Sequence, residues 1–393
     1  MQDRGENISK MEPLFVTGDR YPNISELILE LASESASLNS SLPQSINDAL
    51  CVLMRAMNCY YSNLIEGHYT HPIDIERALK KDYSSDAAKR NLQLEAEAHI
   101  AVQEWIDNGG IESNIVSRAT IAEIHRRFCE KLPAELLVVR DPLSGDSVEV
   151  KPGVYRTRDV QIGKLIPISP GAVPRFLDRF EASYGDLNRS QSLAAVAAAH
   201  HRLLWIHPFF DGNGRVARLL SYATLSNALG TKGIWSVARG LARKQQQYKD
   251  HLMNCDQPRQ GDLDGRGNLS ESALAGFTSF FLETCLDQVH FMRLLLRPDT
   301  LRHRVLGWVS NEVAEQRLPS RSQIVVDTIF RLGELPRGEV PSLLDVSHAT
   351  AKRTVAALMK DGIVVSESSR APLRLAFPAR LSSVWFPGLF PEA

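Results

Sequence analysis

From Leu50 to Leu64 the apolar residues Leu50, Leu53, Met54, Met57, Tyr61 and Leu64 recur at helical offsets. That spacing predicts an amphipathic helix with one buried face. Gly67 follows where a glycine favours helix termination. Residues 73–134 hold three further helical patterns, the middle one ending at Asn108, Gly109 and Gly110. The period then changes. Leu136–Val139, Val148–Val150 and Val160–Ile162 read as short strands separated by Gly and Pro. Helical patterns resume near Val173 and continue, with loops, to about Glu315. One has its apolar face at Leu193, Val196, Ala197, His200, Leu203 and Leu204, and the next at Val216, Leu219, Leu220 and Ala223. Residues 1–43 read as a leader of short helical pieces with Pro and Ser punctuation. After Pro319 come three short helices, a strand at Ile363–Val365, a polar loop at Ser366–Pro372 and a strand at Leu373–Phe377. That order suggests a winged helix-turn-helix. The expected fold class is mainly α, with a short β-hairpin, in three parts: 1–115, 116–318 and 319–393.

At 393 residues the chain exceeds one average domain. A composition of 44% hydrophobic and 23% charged residues argues against wholesale disorder. Lys and Arg (45) balance Asp and Glu (46), so the chain as a whole is not a polybasic nucleic-acid binder. The polar stretch Met1–Lys10 predicts no secretory leader. Leu193–Phe210, the most apolar run, is broken by His200, His201, Arg202 and His207, which predicts no membrane span. The cysteines Cys51, Cys59, Cys129, Cys255 and Cys285 are odd in number, scattered and without a C-x-x-C pair. Free buried thiols in a reducing, cytoplasmic setting are expected.

The densest chemistry lies between two helical patterns, at His207-Pro208-Phe209-Phe210-Asp211-Gly212-Asn213-Gly214-Arg215-Val216-Ala217-Arg218. Pro208 discourages helix continuation through His207. Gly212 and Gly214 permit a tight turn, and a new helix starts at about Asn213–Arg215. A helix amino terminus offers unpaired N–H groups and partial positive charge, a ready anion site. Arg215 and Arg218, three apart, project from neighbouring positions and suit a polyphosphate. Asp211 adds a hard oxygen for Mg²⁺. The positive helix end is expected to keep His207 neutral, as a general base requires.

This string resembles the Fic motif, H-x-F-x-[D/E]-G-N-G-R-x-x-R, at every defined position. The resemblance extends over roughly residues 60–290. It implies a helical core and transfer of AMP from Mg-ATP to a hydroxyl side chain of a target protein or of the chain itself. Carried over, His207 deprotonates the incoming Ser, Thr or Tyr hydroxyl and Asp211 holds Mg²⁺. Gly212, Asn213 and Gly214 line the anion hole, with Asn213 on the α-phosphate. Arg215 holds the β/γ end, and Arg218 and Tyr248 complete the nucleotide site. Val154–Ile162 resembles the flap hairpin that docks a target backbone as an added strand.

Ser62 and Glu66, four apart on one helix face and followed by Gly67, match the Fic inhibitory motif [S/T]-x-x-x-E-[G/N]. The resemblance implies that Glu66 pairs with Arg218 and obstructs the ATP γ-phosphate. In some relatives the same glutamate serves AMP removal.

Asp262–Asn268 fails as a calcium loop, because Arg266 takes a ligand position and Ala273 stands where the bidentate glutamate belongs. His200, His201 and His207 lack the partners of a transition-metal site, and His200 reads as structural. From Leu301 onward there are 12 Lys/Arg against 9 Asp/Glu. The helix opened by Ser347 resembles a winged-helix recognition helix, with Ser347, His348, Thr350, Lys352 and Arg353 facing a groove if DNA is bound. Winged helices also serve as protein-interaction or dimer modules, so a homodimer stays among the alternatives. The expected function is an autoinhibited, cytoplasmic protein adenylyltransferase. The competing readings are a nucleotide-sensing DNA-binding regulator and an AMP-removing hydrolase of the same family.

Overall fold

The computed structural model describes residues 3–16, 20–112, 114–140, 145–163, 165–231 and 233–391. Parts of the expected leader, residues 1–2 and 17–19, fall outside them. The architecture is mainly helical. In chain order it comprises α1 (Pro22–Asn39), α2 (Gln44–Ile65), α3 (Pro72–Leu79), α4 (Ala87–Asp107), α5 (Arg118–Cys129), strands β1 (Val138–Arg140) and β2 (Ser147–Glu149), α6 (Val173–Tyr184), α7 (Arg189–Ile206), α8 (Asn213–Leu229), α9 (Val237–Arg243), α10 (Gln245–Cys255), α11 (Glu271–Leu295) and α12 (Pro298–Ala314). The carboxy-terminal part holds α13 (Ser322–Leu332), α14 (Val340–Leu344), α15 (His348–Lys360), β3 (Val364–Val365), β4 (Arg374–Leu375) and α16 (Ser382–Trp385).

α7 and α8 form an antiparallel pair at the centre, each buried around most of its circumference. A helix apolar all round belongs in a core rather than on a surface. α11 packs on α7, α1, α9 and α10, and its Phe277 and Phe281 are fully buried. α2 lies against α9, α4 and α3, and touches α8. Local sequence sets several boundaries. Asn188 and Gln191 close a reciprocal capping box on α7. Pro22 and Pro72 sit in the first turns of α1 and α3, where a missing N–H costs nothing.

α2 ends as Gly67 was expected to end it. Gly67 has φ +84°, its N–H bonds Leu64 O, and the His68 N–H bonds Asn63 O. This is the double hydrogen bond of a Schellman motif, and it needs a residue free to turn left-handed. Glu66 is thereby fixed at the helix carboxyl terminus.

The leader differs from the expectation of short pieces, because α1 runs 18 residues. Its upstream segment is pinned to the core. Arg202, fully buried on α7, donates twice to Pro13 O, and Glu6 accepts from the Ser169 backbone N–H and hydroxyl. The strand expectations over-reach at both ends. Ala134–Leu137 is a 3₁₀ turn, and pairing is confined to Val138–Arg140 against Ser147–Glu149, with Val139 opposite Val148. Val160–Ile162 forms no strand, and Ile162 makes a single bridge to Leu165. The preceding segment finds its hydrogen bonds in the core instead of in a second strand.

In the carboxy-terminal part, α13, α14 and α15 precede an antiparallel β3–β4 pair with Val364 opposite Leu375, and Leu335 bridges Leu373. The chain then returns to α2 and α9. The Tyr61 hydroxyl donates to Leu389 O at 3.0 Å, Arg239 donates to Gly388 O at 2.7 Å, and Phe390 meets Tyr60 edge-on. The buried apolar residues of this part are continuous with the main core. All five cysteines are buried, and none forms a disulfide. Among the described residues, no helix is long and apolar enough to cross a membrane.

Asn188→Ala should destabilise the protein by about 1 kcal/mol through loss of the α7 cap, read from the urea midpoint at unchanged m-value.

Candidate active site

The site begins where α7 stops. His207 is the C-cap of α7 in a left-handed conformation, φ 50° and ψ 64°. A non-glycine residue pays roughly 1–2 kcal/mol for this conformation, so other contacts must hold it. The Phe209 backbone is fastened by Asn213, whose side-chain oxygen accepts the Phe209 N–H and whose amide donates to Phe209 O. Gly212, with φ +78°, is the N-cap of α8, and the first intrahelical bond runs from Val216 N–H to Gly212 O. The N–H groups of Asn213, Gly214 and Arg215 precede that bond and face outward, as in any helix amino terminus. Asp211 is exposed beside them.

His207 is half-buried, and its Nδ1 lies 3.3 Å from Leu204 O. A carbonyl can only accept, so the proton sits on Nδ1 and Nε2 keeps a free lone pair. Burial pushes the imidazole down to about 4; the Leu204 carbonyl opposes, the Arg156 guanidinium adds to the fall and Glu66 opposes again. The ring is neutral at ordinary pH, as expected, but burial rather than the helix end is the main cause.

Both arginines are buried and held by carboxylates. Arg218 donates through Nε to Ser62 Oγ at 2.8 Å, and through Nη2 to Ser62 O at 3.2 Å and Glu66 Oε1 at 2.5 Å. Burial raises the Glu66 carboxyl, but Arg218 and then Arg215 outweigh it and hold it below the usual carboxylate range. Gly214 makes this contact feasible. A Cβ there would lie 2.3 Å from Glu66 Oε1. Of the residues singled out, Ser62 and Glu66 thus meet Arg218, and Gly67 forms the turn that ends α2.

Arg215 is held by a residue outside the motif. Its Nη2 bonds Glu95 Oε1, on α4, and approaches His68 Nδ1 at 3.1 Å. His68 Nδ1 also meets Glu95 Oε2 at 2.7 Å, and that bond, against partial burial, raises the His68 imidazole. A cavity of about 150 Å³ opens here, bounded by His68, Glu95, Asp211, Gly212, Arg215 and Val139 of the hairpin. Glu95 lies four residues from His99 and eight from the buried Gln103. A polar stripe at helical spacing on an otherwise apolar face is the signal that could have found it.

The other singled-out positions lie as follows. The Tyr248 hydroxyl is 2.6 Å from His200 Nε2, and both rings are buried. His200 Nδ1 meets Ser221 Oγ at 2.8 Å, in keeping with its structural reading. His125 stacks on Phe209 at 3.8 Å, accepts the Gly153 N–H at Nδ1 and lies under Gly212. Arg156 donates to His207 O. Neither His125 nor Arg156 was legible as part of this site, because each reaches it from a distant segment. Val154 and Ile162 of the expected flap are partly exposed. Ser347, His348, Thr350, Lys352 and Arg353 lie on the exposed side at the start of α15, where Ser347 caps the helix.

A proton NMR titration should show His68 changing charge above its ordinary 6.5. His207 and His125 should stay neutral until about pH 4, and His99 and His200 until about pH 3. A His207 signal titrating near neutrality would contradict the burial described.

A model of the Fic/DOC family matches residues 115–225, the stretch that carries His207 to Arg218. The chain is 26% identical over 223 residues to protein adenylyltransferase Fic of Drosophila grimshawi, covering 54% of this chain and 43% of that protein. It is 30% identical over 175 residues to the protein of the same name from Culex quinquefasciatus, covering 43% and 31%. The match therefore spans less than half the length of these curated relatives. Among solved structures, a Fic family protein from Desulfovibrio desulfuricans G20 superposes over 90% of this chain and 96% of its own with a TM-score of 0.55 and 18% identity, a likeness of fold. The family match, the relatives and the shared helical architecture agree with the loop geometry: the chain carries a Fic domain.

Proposed function

We propose that the protein is an adenylyltransferase that moves AMP from Mg-ATP to a Ser, Thr or Tyr hydroxyl of a target protein or of itself, and that Glu66 holds it in check. The observation that carries this reading is a neutral His207, with Nε2 unprotonated, beside a helix amino terminus flanked by two buried arginines. In the proposed reaction Nε2 takes the proton of the incoming hydroxyl. The hydroxyl oxygen forms a bond to the α-phosphorus, the bond from that phosphorus to the bridging oxygen breaks, and pyrophosphate leaves. Developing charge on the phosphates is met by the outward N–H groups of α8 and by Arg215. Asn213 shapes this nest, since both ends of its side-chain amide are engaged with Phe209.

Asp211 suits a magnesium ion carried in by the nucleotide. It is a single exposed carboxylate beside the nest, and among the described residues no group of three or more His, Cys, Asp or Glu forms a protein cage for a metal. Such an ion neutralises phosphate charge and shares its shell with phosphate oxygens and water. Glu66 acts by occupying Arg218 and the space over Gly214, where the far end of a triphosphate would lie.

The test follows label from α-labelled ATP with Mg²⁺ onto protein, using lysate as a source of targets. Glu66→Gly should raise labelling on the order of tenfold or more, since a charged hydrogen-bonded contact is worth about 1.5–3 kcal/mol. Adding His207→Ala should remove on the order of 10²–10⁴ of that rate. Labelling that persists without His207 would overturn the base assignment. AMP release from a labelled protein that stops in Glu66→Gly would replace transfer by hydrolysis.

A further inference from the structure

Arg156 is fully buried, yet among the described residues every hydrogen bond it makes goes to a backbone carbonyl. Nε donates to His207 O at 2.7 Å, Nη1 to Arg158 O at 3.1 Å, and Nη2 to Ile168 O and to Ile206 O at 3.5 Å. Its own N–H donates to Pro208 O at 2.8 Å. The carboxylates whose field reaches it are engaged elsewhere. Asp159 pairs with Arg4, and Glu6 binds Ser169 and Arg4. A buried cation without a bonded carboxylate is costly, and an apolar side chain would fill the same space more cheaply.

What the guanidinium supplies is a rigid fork of donors at a helix carboxyl terminus. Ile206 and His207 are the last residue and C-cap of α7, and their carbonyls have no intrahelical donor. Arg156 satisfies both from 50 residues away and binds the next peptide, Pro208, through its backbone. Three consecutive carbonyls are thus gripped by one residue, at the point where His207 takes its left-handed turn. That turn sets the direction of the imidazole.

We propose that Arg156 is a positioning residue. It locks the His207 backbone so that Nε2 is aimed at the incoming hydroxyl. Its guanidinium also adds to the burial that holds the imidazole below its ordinary range. This rests on the reading of His207 as the base. The charged groups bearing on His207 are Arg156 from the segment after β2 and Glu66 from α2, with the Leu204 carbonyl of α7 on Nδ1.

The experiment compares Arg156→Met and Arg156→Lys, each as the full chain. In the nucleotide-free protein, NMR follows the His207 ring. Arg156→Met should raise its titration midpoint measurably, whereas Arg156→Lys, which keeps the charge, should leave it near that of the parent. In the Glu66→Gly background, both variants should lose roughly tenfold to a hundredfold in kcat for AMP transfer, with KM for ATP within about twofold. An unchanged His207 midpoint in Arg156→Met, or an unchanged kcat in both variants, overturns the proposal. If Glu66→Gly alone transfers nothing, the reading of the activity fails, and the titration still decides the role of Arg156. Should both variants unfold, the unsubstituted protein decides. The Arg156 Nε–H must exchange slowly and show a cross-peak to the His207 backbone, and a freely exchanging signal overturns the lock.

Discussion

Two helix ends meet in the loop between α7 and α8, and neither helix can satisfy its own terminal backbone groups. The last carbonyls of α7 need donors, and the first N–H groups of α8 need acceptors. The structure answers the two needs in opposite ways. The α7 carbonyls are closed off by Arg156, and the loop's own backbone is closed off by Asn213. The α8 N–H groups are left facing outward with glycine before and among them. A loop that is rigid on one side and unsatisfied on the other is what an anion needs, because the protein need not reorganise when charge arrives.

Charge burial is the second constraint. Arg215 and Arg218 are nearly sealed from solvent, and a buried guanidinium must be paired. Each has its own carboxylate on a different element, Glu95 on α4 and Glu66 at the end of α2. The two pairs differ in burial. The Glu95 side chain is 4% exposed, whereas that of Glu66 is 33% exposed at a helix terminus. A carboxylate at a helix carboxyl terminus works against the helix dipole, so it leans on Arg218 for compensation. Glu95 is embedded in the scaffold, and Glu66 sits at a partly exposed helix end.

That helix is tied to the carboxy-terminal end of the described chain. α2 packs on α9 and on β4, its Tyr61 holds Leu389 O, and Arg239 of α9 grips the same carboxy-terminal turn. The amino-terminal segment is anchored to α7 through Arg202 and Pro13. α2 and α7 are therefore each braced by a peripheral segment, through a few polar contacts set among apolar surfaces.

Local signals in the sequence determined much of this. The period of apolar residues placed α2 and the α7–α8 pair, since a helix repeats its buried face by a fixed rotation. The string from His207 to Arg218 located the loop between α7 and α8, because its residues are neighbours along the chain. Gly67 marked the end of α2, because only a left-handed residue completes that hydrogen-bond pattern. The partnership of Glu66 with Arg218 came from a resemblance rather than from spacing. What only the tertiary structure decided are the contacts between segments tens of residues apart: Glu95 with Arg215, His125 under Phe209, Arg156 on the His207 carbonyl. The strand expected at Val160–Ile162 failed for the same reason. Its β-branched pattern was local, but the neighbouring backbone groups were already engaged, Gly153 by His125 and Arg156 by Pro208. A residue's own neighbours set its propensity, and the choice of partner for each buried polar group falls to whatever the fold brings beside it.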